Sequence, residues 1–285
     1  MANVNDECFR DLSREEEYRG EYSSSEYLAV LVSRQVRPDD GAAGGGVYSD
    51  VIYNGVILAA TLHAPDLTYI TGGYYMSLAN NKLPKSTPTF LPWEYRFIEI
   101  ADGMMYDHDC QLYNPGVRKL ANVFFVGGLQ IDKYGNINNT LIGKDWDNPE
   151  LKGPGLMGIL NFNDNMKRIY HFVRKHDRRT FVDEVDFITS MGHRNKYGWK
   201  KDFEFENSGP TLCFTPLCVM DYEEQSKHMR LKSVHPGHSV EEVLDNTAFD
   251  LIVPKNVAMT KPPTIFEMDT LRTQVDTLGV LREAF

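Results

Sequence analysis

Cysteine is scarce, with four residues (Cys8, Cys110, Cys213 and Cys218) in a chain of 285. Their spacing is irregular and holds no CxxC pair, so neither a disulfide framework nor a zinc or redox motif is predicted. Positive charge is also in short supply: 30 Lys and Arg stand against 40 Asp and Glu, for a formal net charge of −10. That balance lacks the clustered cations that phosphate backbones reward, and it argues against a nucleic-acid partner. No apolar run approaches the roughly 20 residues needed to span a bilayer. The N-terminus carries Asp6, Glu7, Asp11 and Glu15 to Glu17, where a signal or transit peptide would carry cations. A reduced, cytoplasmic location away from membranes is expected.

What is present is the mix of a globular protein, 42% hydrophobic and 25% charged, with 15 Tyr and 15 Phe to build rigid pockets. Residues 1–22 read as an acidic arm that orders by packing on a partner, and 23–285 as a single domain. Ser25 can cap a helix whose stripe is Tyr27, Leu28, Leu31 and Val32, stopped by Pro38. Residues 39–46 hold four glycines and read as a loop that lets backbone approach closely. A second helix is predicted over 50–63, with Val51, Ile52, Val56, Leu58, Ala59 and Leu62 apolar. Strands are predicted over 67–71, 123–126, 179–182 and 211–214, the first ending at Gly72-Gly73 and the second at Gly127-Gly128. Alternation of strand, glycine and helix predicts an α/β fold, an open and mostly parallel sheet with helices on both faces.

The stretch 124–138 carries the most chemistry. A buried strand runs into Gly127-Gly128, then Gln130, then a turn at Tyr134-Gly135-Asn136, with Asn138 pointing back. Backbone amides and short amide side chains gather at the carboxyl end of a strand, where open α/β sheets bind ligands. The same residues also suit a plain hairpin turn. Gly153 and Gly155 lie in a glycine-rich loop over 152–158 that lacks the GxxxxGK[ST] pattern of a triphosphate-binding loop. Arg174, Lys175, Arg178 and Arg179 form the dense basic cluster, suited to phosphates or to a solvated helix end. Glu94, Arg96 and Glu99 flank Trp93, and His108 lies between Asp107 and Asp109 without a metal-spaced partner. His235, in a His-Pro-Gly turn, reads as structural.

The stretch 124–138 resembles the strand–loop signature of the β subunits of family I CoA-transferases, glutaconate CoA-transferase in particular. Other landmarks follow in the family's order: Ala64-Pro65-Asp66 before a strand, the segment 178–190 followed by Met191-Gly192, Gly209-Pro210 before Thr215-Pro216, and 229–237 before 239–251. The resemblance covers roughly residues 25–280. It implies the CoA-transferase type of α/β fold, coenzyme A as the thioester substrate without a metal, and a homologous α subunit in an αβ or α2β2 complex. It also implies that Gly72, Gly73, Gly127, Gly128, Gln130, Asn136, Asn138, Gly153 and Gly155 line the CoA site. In the transferases a β-subunit glutamate attacks the acyl-CoA carbonyl. Here Gly72 takes that place, and Tyr74 and Tyr75 are the neighbouring polar groups expected to act. The departure points toward the family's hydrolases and decarboxylases. A true transferase, and a non-catalytic subunit completing the α subunit's pocket, are the other readings. A sugar-phosphate sensor of this fold type would carry a basic helix-turn-helix segment, which this chain lacks.

Overall fold

The computed structural model describes residues 9–45, 49–71, 75–77, 103–104, 121–155, 159–205 and 207–282. The chain divides into two compact units, Met1–Val123 with Pro262–Phe285, and Phe124–Lys261. Each is mixed α/β, the fold class expected.

In the first unit, helix α1 (Ser24–Arg34) opens on a capping box. The Ser23 hydroxyl accepts from the Glu26 amide, and the Glu26 carboxylate accepts from the Ser23 amide. Its residues from Ser25 to Arg34 are all buried. Strand β1 (Gly41–Gly45) follows, then helix α2 (Ser49–Leu62) and strand β2 (Thr68–Thr71). The glycine-rich segment expected as a loop is thus a strand, paired in parallel with β2 from Gly41↔Thr68 to Gly44↔Thr71. Glycine scores poorly as a strand former because it has no side chain to pack, but a parallel neighbour needs only its N–H and C=O groups. Strands β3 (Tyr75–Ser77) and β4 (Gly103–Met104) extend the order antiparallel.

Helices α1 and α2 pack closely because Gly55 has no Cβ: one placed there would sit 2.7 Å from the Ala29 carbonyl oxygen and from Val32 Cβ. Residues 9–22, expected to await a partner, are bound to the chain's own C-terminal segment. Tyr18 donates its amide to Pro263 O (2.8 Å), and Ile265 donates to Glu16 O (2.9 Å). The Thr264 hydroxyl donates to Glu15 (2.7 Å). Arg34 makes a two-pronged pair with Glu267 of the C-terminal helix, Ile265–Thr270, at 2.9 and 2.8 Å.

The second unit begins at Phe124, the second residue of β5 (Val123–Val126), a strand buried along its whole length. After it come β6 (Gln130–Asp132), β7 (Ile137–Asn138), β8 (Leu141–Ile142) and β9 (Leu151–Lys152). Helix α3 (Ile159–Asn165) leads to β10 (Arg168–Phe172), β11 (Phe181–Val182), β12 (Arg194–Asn195) and β13 (Gly198–Trp199). The unit closes with β14 (Leu212–Phe214), β15 (Cys218–Tyr222), β16 (Met229–Val234), helix α4 (Val240–Asp245) and β17 (Ala258–Met259). Its main sheet runs β5-β10-β14-β15-β16-β17, parallel at β10–β14 and β16–β17 and antiparallel through β15. Phe125 stacks on Tyr170 (5.2 Å between centroids), Tyr170 meets Phe214, and Phe124 stacks on Phe162 of α3. Among the described residues no helix is long and apolar enough to cross a membrane.

Candidate functional site

Four apolar residues bury β5 and deliver the chain to Gly127-Gly128. A Cβ at Gly128 would sit 2.8 Å from Ile137 Cγ2 and 3.0 Å from Gln130 O, so only glycine lets the hairpin β6–β7 fold back so tightly. The far end of that hairpin is a turn stapled by Asp132, which accepts from the Tyr134 amide (2.9 Å), the Asn136 amide (3.0 Å) and Asn136 Nδ2 (2.7 Å). Burial pushes the Asp132 carboxyl up to about 6, against these donors, which pull it down. Gly135 takes φ +76°, and a Cβ there would press on the Tyr222 hydroxyl and Pro210.

The structure brings seven of the expected site residues onto one scaffold. Gln130 and Asn138 face each other across the hairpin, Asn138 Nδ2 donating to Gln130 Oε1 (2.7 Å) and Leu141 O (2.6 Å). Asn138 Oδ1 accepts from the Thr140 amide, and Gln130 exchanges two hydrogen bonds with Asp186. Asn136 Nδ2 also donates to Arg194 O, and its Oδ1 accepts from the Gly192 amide. All three side chains are buried, and their donors are spent inside the protein. They hold the hairpin in shape. Gly153 and Gly155 are tied in through their amides, which donate to Thr140 O (2.8 Å) and Asn139 O (2.9 Å). A Cβ on Gly153 would overlap Asn139 O.

Asn139 is the residue that sequence reasoning missed. Its Nδ2 donates to Gly127 O (2.8 Å), its Oδ1 accepts from the Leu129 amide (3.0 Å), and its amide donates to Thr189 Oγ1 (2.7 Å). One fully buried amide side chain thereby clamps the glycine pair, while its backbone carbonyl takes the 153–155 loop. The available signal was the Asn138-Asn139-Thr140 run that begins at the last residue of β7.

Gly72, Gly73 and Tyr74 lie outside the described residues, as do Glu94, Arg96, Glu99 and His108. Tyr75 opens β3 and pairs with Met104. The basic cluster has local partners: Arg178 donates to Thr247 O (2.9 Å) and Lys175 pairs with Asp177 (3.4 Å). His235 lies between Thr260 Oγ1 and Thr215 O, both at 2.9 Å, a buried structural imidazole as expected. Cys213 and Cys218 are buried and free, and burial pushes the Cys218 thiol up to about 12. Among the described residues no group of three or more His, Cys, Asp or Glu is placed to hold a metal ion.

Residues 113–246, which include β5, the glycine pair and the whole hairpin scaffold, match the family model described as Coenzyme A transferase. Over that segment, a little under half of its length, the chain is similar to the coenzyme A transferase family. The relatives it matches are B subunits. It is 36% identical over 151 residues to the B subunit of 3-oxoadipate CoA-transferase from Pseudomonas knackmussii, a match spanning 53% of this chain and 57% of that protein. It is 27% identical over 272 residues to the B subunit of glutaconate CoA-transferase from Acidaminococcus fermentans, spanning 90% and 93%. The cholesterol ring-cleaving hydrolase IpdB subunit of Rhodococcus jostii is 28% identical over 151 residues, spanning 53% and 58%. The chain thus spans little more than half the length of two of these three relatives. The fold is that of glutaconate coenzyme A-transferase from Acidaminococcus fermentans, with a TM-score of 0.76, 23% identity, and 92% and 98% of the two chains covered. The decarboxylase AibA/AibB shares it at a TM-score of 0.73 and 23% identity, covering 93% and 99%.

Proposed function

We propose that this chain is the β-type subunit of a heteromeric enzyme acting on an acyl-CoA thioester, by hydrolysis or C–C cleavage and not by CoA exchange. The glycine pair carries the reading: Gly127-Gly128, buried at the carboxyl end of β5 and clamped by Asn139, lies in a scaffold with Gly153 and Gly155 whose amide side chains are already committed. With the Gly153 and Gly155 amides spent internally, the amides of the Gly127-Gly128 pair would polarise the thioester carbonyl and stabilise the charge that develops on its oxygen. The sequence Gly72-Gly73-Tyr74-Tyr75 offers no carboxylate to accept the acyl group, and Tyr74 and Tyr75 would serve as hydrogen-bond donors there. A base from either subunit would move the proton. The relatives named as a ring-cleaving hydrolase and a decarboxylase support this chemistry, and those named as transferases support exchange. A homologous α subunit is the partner, and coenzyme A enters as part of the substrate.

The test is to incubate the co-purified αβ complex with an acyl-CoA and an acceptor carboxylic acid, then trap with hydroxylamine. Free CoA from thioester hydrolysis, or a cleaved acyl group still carried on CoA, is expected without exchange of CoA onto the acceptor acid. A trapped glutamyl adduct on this chain would overturn the reading and make the protein a transferase. The absence of a carboxylate over 70–75 also favours a second reading, in which the subunit only completes its partner's site. Unchanged turnover by the Tyr74→Phe, Tyr75→Phe variant, with the complex intact, would favour that role.

A further inference from the structure

The hairpin β12–β13 stands out by its charge. Within a chain of net charge −10, residues 194–201 hold four cations and no acid. One of them, Lys200, is fully buried and bound to Asp164 (3.0 Å) and Asn163 O (2.9 Å). The other three, Arg194, Lys196 and Lys201, are exposed and form no ion pair among the described residues. Elsewhere in this unit Lys133 pairs with Asp183, Lys175 with Asp177 and Arg230 with Asp221.

Each of the three lies over an aromatic ring instead. Arg194 sits over Trp199 (5.0 Å to the centroid) and over Tyr134 (5.8 Å). Lys201 lies over Trp199 at 5.3 Å, and Lys196 over Tyr197 at 5.2 Å. Tyr197 itself is 77% exposed at the turn. A cation resting on a ring keeps its charge available to an incoming anion while the ring holds it in place. Cations and an open aromatic face side by side are the chemistry that takes a phosphate and a stacked base together.

The patch is continuous with the candidate site. Arg194 O accepts from Asn136 Nδ2 (2.8 Å), and the His193 amide donates to Tyr134 O (2.9 Å), so β12 is bolted to the turn of the β6–β7 hairpin. From Gly128 to that turn is roughly 10–20 Å of strand, enough to separate two ends of one ligand. We infer that the Arg194–Trp199 hairpin, with Lys201, binds the phosphorylated purine-nucleotide end of the coenzyme A thioester whose sulfur end lies at the glycine pair. This inference rests on the acyl-CoA reading above. It displaces the basic cluster at 174–179 as the phosphate site, because Lys175 and Arg178 are committed locally.

The experiment measures binding by calorimetry, using the full chain alone and in complex with its co-expressed α subunit. The probes are CoA, dephospho-CoA, adenosine 3′,5′-bisphosphate and a pantetheine thioester. Triple substitution Arg194→Ala, Lys196→Ala, Lys201→Ala is expected to weaken CoA and the bisphosphate about tenfold or more and to leave the pantetheine thioester unchanged. Dephospho-CoA should bind the native protein more weakly than CoA. The double variant Lys196→Ala, Lys201→Ala spares Arg194 and its packing, and should show a smaller loss in the same direction. Lys167→Ala, an exposed cation outside the patch, is the control. Unchanged CoA affinity in the triple variant overturns the inference while leaving the acyl-CoA reading standing. Unchanged CoA affinity with lost α-subunit association overturns it in favour of an acidic protein partner. Failure of the native complex to bind CoA or the pantetheine thioester overturns both.

Discussion

At the scale of single residues, the second unit buries four imidazoles in neutral form. Burial lowers His171 and His235 from the ordinary 6.5 to about 3, and His176 and His193 to about 4. His176 is wedged between Thr215 Oγ1 (2.9 Å) and Thr247 Oγ1 (3.0 Å), and His193 between Ser208 O (2.7 Å) and Pro210 O (2.8 Å). A lowered folded-state pKa means the unfolded chain takes the proton first. The stability these groups contribute is complete above about 6.5 and is lost as pH falls toward 4. Asp132 has the opposite sign: its carboxyl is raised to about 6, so between the ordinary 3.8 and 6 the folded chain holds a proton that the unfolded chain has released. Four protons taken up on unfolding less one released leaves up to three, a slope of at most about 4 kcal/mol per pH unit. Urea midpoints measured from pH 7 to pH 5 should therefore fall steeply. A midpoint that holds or rises would show that these histidines are charged in the native state.

At the scale of elements, legibility followed the side chains. Val123–Val126 was read correctly from four apolar residues closed by two glycines, and α1 and α2 from their apolar stripes. Gly41–Gly45 was misread because its strand character lies in main-chain pairing with β2, which composition does not record. Arg168–Phe172 was not read as a strand, since Arg168 and His171 interrupt the apolar run although all five residues are buried. Gly55 shows the same limit inside a helix. Replacing it with alanine gains about 1 kcal/mol of helix propensity, but the new Cβ meets Ala29 O and Val32 Cβ at 2.7 Å. Net destabilisation of about 1–3 kcal/mol is expected, as for other overpacked contacts. Thermal unfolding of Gly55→Ala measures it, and a raised midpoint would mean that α1 and α2 can part without cost.

At the scale of the whole chain, the first unit is assembled from both ends of the sequence. Arg34 and Glu267 are 233 positions apart, yet their side chains are 2% and 0% exposed and hydrogen-bonded to each other. Arg10 also approaches Glu267, and together these cations hold its carboxyl below the usual range against the burial that would raise it. Removing one partner leaves a buried charge, so Arg34→Met is expected to cost about 3–5 kcal/mol, and Arg34→Met with Glu267→Met much less. Denaturation of the single and double variants decides this; equal losses in both would show that packing, and not the ion pair, holds the ends together. Apolar periodicity and glycine placement, both local, determined from the sequence alone that this is an α/β chain; its ordered landmarks carried the resemblance to coenzyme A transferase β subunits, with Gly127-Gly128 expected at the site. Only the tertiary structure decided that Gln130 and Asn138 are spent on each other and Asn136 on Asp132, Gly192 and Arg194, that Asn139 clamps the glycine pair, and that Arg194, Lys196 and Lys201 rest on aromatic rings with no ion pair among the described residues. Those facts depend on which side chains meet across strands and loops, and the distance between residues in space is what a linear order leaves open.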